Sequence, residues 1–169
     1  LPDGKTLTLA PGASIKFGGT ELVVGAGGSL ESQGTSAAPV TLTSAYDDSV
    51  GGRVNGTHRN GDRPANYATS AGDWGGVLAL GSSSVTFDHT VVRYASVGAD
   101  IRSSDAHIDH STIRDSQSSA VVIYDQALEN LNGIIGTGNQ ASGNGGVDGI
   151  EAYGGTIGDT TIDTSSSWQ

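Results

Sequence analysis

Two Asp-His pairs, Asp88-His89 and Asp109-His110, recur at a fixed offset, and the same offset separates Arg93 from Arg114. If that offset brings the chain back to the same place, the two carboxylates lie side by side. They could then share a proton or a cation and titrate as a coupled pair. Acid/base hydrolysis of a glycoside needs carboxyl groups roughly 5–9.5 Å apart across the sugar. Asp88 and Asp109 are therefore the candidate catalytic acids, with Arg93 and Arg114 as accompanying bases. His89 and His110 are candidate ligand-binding side chains. A structural reading competes, because the pairs belong to a repeat and no third carboxylate or lysine cluster accompanies them. Arg93, Arg102 and Arg114 fit ion pairs with Asp88, Asp109 and Asp115 equally well.

A second set of polar residues interrupts the chain between residues 45 and 71. Asp47, Asp48, Asn55 and Asp62, with Asp73 just beyond, supply hard oxygen ligands of the kind Ca2+ takes. Their spacing is neither that of an EF-hand nor that of the nonapeptide Ca2+ repeat. The alternative is that Asn, Asp and Gly are there for turn geometry and local backbone hydrogen bonds. Asn55-Gly56-Thr57 also reads as a glycosylation acceptor. Trp74, where the segment ends, is either a sugar-stacking platform or a plug where the loop rejoins the main body.

The elements that must position these residues are short strands. Phe87-Asp88-His89-Thr90-Val91-Val92-Arg93 recurs as Ile108-Asp109-His110-Ser111-Thr112-Ile113-Arg114. The spacing predicts Phe87 stacked on Ile108 and Val92 on Ile113, with Val85 and Phe87 pointing inward and His89 in a bend. A further step of the same length reaches Ile134, in Leu131-Asn132-Gly133-Ile134, and a looser copy spans Ile157 to Ile162. Ala99-Asp100-Ile101-Arg102 aligns with Ala120-Val121-Val122-Ile123, and then with Gly149-Ile150-Glu151-Ala152 after an insertion. Toward the N-terminus, runs around Leu7, Ile15, Leu22, Leu30 and Val40 are strand-sized and separated by Gly- and Pro-containing turns. No window sustains a helical period, so long helices are not expected. Such repeats cannot bury their inward faces singly and must stack as parallel strands about 4.8 Å apart. The fold class expected is all-β, a single-stranded right-handed parallel β-helix of roughly seven coils over 1–169, with one loop insertion at 45–71.

Three stretches, Pro11 to Gly19, Leu30 to Val40 and Gly72-Asp73-Trp74-Gly75-Gly76-Val77, resemble bacterial extracellular parallel β-helix repeat proteins of the pectate-lyase-like superfamily. The resemblance covers nearly the whole chain. It implies the fold and a secreted or cell-surface setting, in a superfamily that holds lyases, glycoside hydrolases and adhesins. It also implies a loop of the form Asp-Asp-x-x-Gly-Gly-x-x-Asn-Gly, kept here as Asp47-Asp48, Gly51-Gly52 and Asn55-Gly56, with Arg53 where an acid would strengthen a cation site.

Bulk properties narrow the partners. Eighteen acids against eight bases leave a net charge of −10, which disfavours nucleic acid and anionic membranes. No apolar stretch is long enough to span a bilayer. With no cysteine, disulfides and thiol chemistry are excluded. The chain starts at Leu1-Pro2 and ends at Trp168-Gln169, as a mature form or a fragment would. The reading favoured is a non-catalytic extracellular module that contacts polysaccharide or a cell-surface protein. The alternative is a carbohydrate-active enzyme, a polysaccharide lyase or glycoside hydrolase, or a piece of one.

Overall fold

The structure is a computed structural model that describes residues 1–53, 68–103, 105–155 and 157. Its strands fall into three parallel sheets. The first holds β1 (Thr6–Leu9), β4 (Ser29–Gln33), β7 (Ser84–Asp88) and β10 (Asp105–Asp109). The second holds β2 (Ser14–Phe17), β5 (Val40–Ser44), β8 (Thr90–Arg93), β11 (Thr112–Arg114) and β13 (Gln140–Ser142). The third holds β3 (Glu21–Val24), β6 (Gly76–Ala79), β9 (Ala99–Ile101), β12 (Val121–Tyr124) and β14 (Ile150–Tyr153). The chain visits the sheets in rotation, and each new strand pairs with the one laid down a round earlier.

Alternation drives this arrangement. In β7, Val85 and Phe87 are fully buried while Ser84, Thr86 and Asp88 are not, and β10 repeats the pattern with Ala106 and Ile108. Columns of apolar residues result: Leu30, Val85 and Ala106 in the first sheet, Leu42, Val92, Ile113 and Ala141 in the second, Val24, Ala79, Ile101 and Ile123 in the third. Fully burying each larger side chain stabilises by about 1.5–3 kcal/mol relative to exposure. A slip of one residue would turn every column toward solvent, so the register is strongly specified.

The predicted pairs Phe87–Ile108 and Val92–Ile113 are both present. Three details differ from expectation. Val121, not Ala120, pairs with Ala99, so this round is one residue longer at the third sheet than the repeat predicts. The bend before β12 has one residue more than the bend before β9, which keeps Ile123 over the buried Ile101. Ile134 does not continue the Val92–Ile113 column; Ala141 does. Asp125–Asn130 form a 3-10 turn and Leu131–Ile134 a single α-helical turn, α1, which packs over β10. Apolar residues at 127, 128, 131 and 134 fall on one helical face, and all four are buried there. Finally, the described residues make about five rounds rather than seven, since the 45–71 insertion and this helical segment lengthen two of them. The Ile157–Ile162 copy lies outside the described residues beyond Ile157.

Corners between the first and second sheets hold an internal polar ladder. Ser32 Oγ and Thr90 Oγ1 are 2.6 Å apart, and Thr90 N–H donates to Ser111 Oγ at 3.0 Å. Ser111 N–H donates to Asn139 Oδ1 at 3.0 Å, and the Asn139 amide donates back to Ile108 O at 2.8 Å. All four residues are buried. Thr90 and Ser111 thereby have their backbone groups satisfied by the side chain of the following bend, as a buried turn requires.

Candidate functional site

The two Asp-His pairs sit on the outside of this ladder. Asp88 ends β7, Asp109 ends β10, and the histidines that follow turn the chain into β8 and β11. His89 and His110 both have left-handed backbone, φ 46° and 48°. This conformation is costly for a residue with a Cβ, by roughly 1–2 kcal/mol. The imidazoles lie one above the other, centroids 4.8 Å apart and planes within 5°.

Each ring is held by its own aspartate. His89 Nδ1 is 2.6 Å from Asp88 Oδ1, and His110 Nδ1 is 2.9 Å from Asp109 Oδ2. An ionised carboxylate only accepts, so both Nδ1 atoms carry the hydrogen and donate it. In the neutral ring, Nε2 is then a free lone pair. The carboxylates thus turn to the histidines rather than to each other, and the proton-sharing acid pair expected from the repeat is not formed. Asp109 also accepts from Thr137 N–H at 2.6 Å. Partial burial pushes its carboxyl up, but the Thr137 and His110 interactions outweigh this and hold it below the usual carboxylate range.

Beside the rings opens a groove of about 290 Å³, lined by Thr35, Ser36, Pro39, Val91, Thr112, Gln140 and the two histidines among others. Outward-facing positions of the second sheet form its floor, and the turn at Thr35–Ala38 forms one wall. No carboxylate lines it.

The remaining candidates lie elsewhere and are engaged. Arg93 pairs with Asp47 at 2.5 Å and donates to Ser49 Oγ at 2.6 Å. Burial raises the Asp47 carboxyl, but hydrogen bonds from Ser49 and Thr43 and the Arg93 charge hold it below the ordinary range. Arg102 grips Asp100 through two bonds of 2.9 Å and lies 4.8 Å over the Tyr124 ring, which stacks on Tyr153. Arg114 pairs with Asp115, the one predicted arginine pairing that is formed.

Part of the insertion's candidate cation set can be placed. Asp47, Asp48 and Asp73 join no three-residue ligand group among the described residues, and Asn55 and Asp62 lie outside those residues. So does the Asn55-Gly56-Thr57 acceptor. Asp73 Oδ2 accepts from Ser44 Oγ at 2.7 Å and from Ser70 N–H at 3.0 Å. Of the two readings of Trp74, the plug is the one formed. The indole is 1% exposed, stacks on Phe17 at 4.3 Å and donates from Nε1 to Arg93 O at 2.9 Å. Neither face is available to a sugar.

Sequence reasoning missed Asn139, Thr137 and the Arg93–Asp47 pair. Asn139 and Thr137 belong to a longer round, which the helical segment stretches, so the offset between the Asp-His pairs no longer points to them. The third joins a residue at the start of the insertion to one well beyond it, with no local signal.

No family model matches the chain, and neither the curated proteins nor the solved structures contain a match to it.

Proposed function

We propose that this chain is a non-catalytic module of a secreted or cell-surface bacterial protein, wound as a right-handed parallel β-helix, that binds glycan or protein along the flank bearing His89 and His110. The rotation of strands through three parallel sheets supports the winding, and the near-universal right hand of parallel β-crossover-β connections supports its sense. The likeness of Pro11–Gly19 and Gly72–Val77 to pectate-lyase-like repeats supports the setting. Among the described residues no helix is long and apolar enough to cross a membrane.

The observation that carries the reading is the character of the groove. Hydroxyls, an amide and imidazoles line it, and it holds no carboxylate. Outside it, Asp47, Asp88, Asp100, Asp109 and Asp115 are tied to Arg93, Arg102, Arg114 or a histidine. Such a surface offers hydrogen bonds to sugar hydroxyls or a peptide backbone without a free acid/base pair. Two measurements test it. Affinity electrophoresis through neutral and acidic polysaccharides should show retardation that Thr112→Arg abolishes. Incubation with polygalacturonate and Ca2+ should yield no unsaturated, ultraviolet-absorbing product. Appearance of that product would overturn the proposal in favour of a lyase.

A further inference from the structure

We propose that His89 and His110 form a binding site for one divalent transition-metal ion with a preference for imidazole, such as Cu2+ or Zn2+, through their two Nε2 atoms. Two features carry it, and the backbone around them is compatible with it.

The first is orientation. In metal sites, a ligating histidine characteristically donates its other ring N–H to a carboxylate, which fixes the tautomer and raises the basicity of the ligand. Both rings have that arrangement, through Asp88 at 2.6 Å and Asp109 at 2.9 Å. The two free Nε2 lone pairs therefore lie on one flank, one round apart.

The second is proximity. Asp88, His89 and His110 are the single group of three potential ligands among the described residues, with ligand atoms within 4.8 Å of one another. Two metal–nitrogen bonds of about 2.0–2.1 Å span at most about 4.2 Å. The rings are parallel, so their in-plane lone pairs run side by side, and one ion bridges them only when both imidazoles turn toward each other about their side-chain torsions. The groove alongside leaves room for water or a partner's oxygen to complete the coordination.

The backbone leaves room for it. The same bend in the next round is occupied by Gly138, φ 65°, and His110 N–H donates to the neighbouring Thr137 O at 2.8 Å. Glycine therefore satisfies this bend. The next corner follows the same course, with Tyr94 and Asp115 left-handed and Gly143 after them, so left-handed backbone is common to these bends. Gly138 also leaves the outer face of the His110 ring without a side chain stacked on it; a Cβ there would meet His110 Cδ2 at 2.8 Å.

The site is independent of whether the groove takes glycan. Its test is titration of the untagged, chelator-stripped chain with Cu2+ alone and with Zn2+ alone, followed by calorimetry and, for Cu2+, electron paramagnetic resonance. One ion per chain is expected, with hyperfine structure from two nitrogens. His89→Asn and His110→Asn, both tolerant of left-handed backbone, should each weaken binding at least tenfold, and the double variant should abolish it. Asp109→Asn, which removes a positioning group, should weaken it about tenfold. His107→Asn and His58→Asn should leave it unchanged; His107 lies on β10 with Nδ1 2.8 Å from Gly133 O. Circular dichroism of each variant separates loss of ligand from loss of fold, and His110→Gly, the residue used in the next round, is a second probe. Wild-type affinity in the double variant, or equal loss in His107→Asn, would overturn the proposal.

Discussion

Arg93 reaches from the end of β8 to Asp47 at the root of the insertion, 2.5 Å away, and both side chains are nearly buried, 10% and 4% exposed. This pair clamps the first residues of the loop to the second sheet. Ser49, Thr43 and Arg93 together surround the Asp47 carboxylate with donors. The acid that looked like a cation ligand already has a cation beside it, supplied by the chain.

Breaking the clamp from one side should be costly. Arg93→Met leaves Asp47 buried without its counter-charge, and a loss of about 3–5 kcal/mol is expected for such a pair. Arg93→Met with Asp47→Leu should cost less than Arg93→Met alone. Urea denaturation of the three proteins checks this, and additive losses would show that the two residues act separately.

The same carboxylate makes stability depend on pH. Its folded pKa is depressed below the ordinary aspartate value, because the donors around it outweigh its burial. A depressed acid contributes stability fully above its unfolded pKa and loses it as pH falls through the folded value. Stability should therefore decline below about pH 4, where an unperturbed aspartate titrates. Asp109, also depressed, adds to the slope. Asp47→Asn should flatten that decline. Denaturant midpoints measured across the acid range, from well below to well above that pH, provide the comparison.

Trp74 predicts a different signature. Trp74→Ala should destabilise by about 3–5 kcal/mol, as large-to-small core changes do. Trp74→Phe keeps the stack on Phe17 but leaves Arg93 O without its donor, so a smaller loss, about 1–3 kcal/mol, is expected. Neither should alter retardation by polysaccharide in the fraction that is folded.

Asn139→Ala should cost about 2 kcal/mol or more, because Ser111 N–H and Ile108 O both lose a buried partner. His110→Ala and His110→Gly should differ by about 1 kcal/mol in favour of glycine, since only alanine retains a Cβ at φ 48°. Thermal melts of the two histidine variants side by side give the difference directly, and an alanine variant as stable as glycine would show that the bend is relaxed.

Much of this was legible in the residues. Strict alternation at Val85 and Phe87, repeated one round later at Ala106 and Ile108, was enough to predict the strands, their inward faces and two core pairs. Alternation is local, and a parallel register with one buried face admits no slip. Legibility failed where rounds changed length. The apolar residues from Ala127 to Ile134 continue the repeat's composition but not its period. They became a helical segment because the face they form at helical spacing packs over β10. Asn139 could not be picked out, because its value lies in backbone groups of the round before it.

The site divides the same way. The sequence alone determined that Asp88, His89, Asp109 and His110 recur in register, because the repeat that carries them also builds the core. Only the tertiary structure decided what they do. Placing each aspartate on its own histidine rather than on its neighbour turned an apparent acid pair into two oriented imidazoles. Bringing Arg93 to Asp47 gave one acid of the candidate cation set an arginine as its partner. A side chain's partner is set by the three-dimensional neighbours its bend exposes it to, and those come from other rounds of the chain.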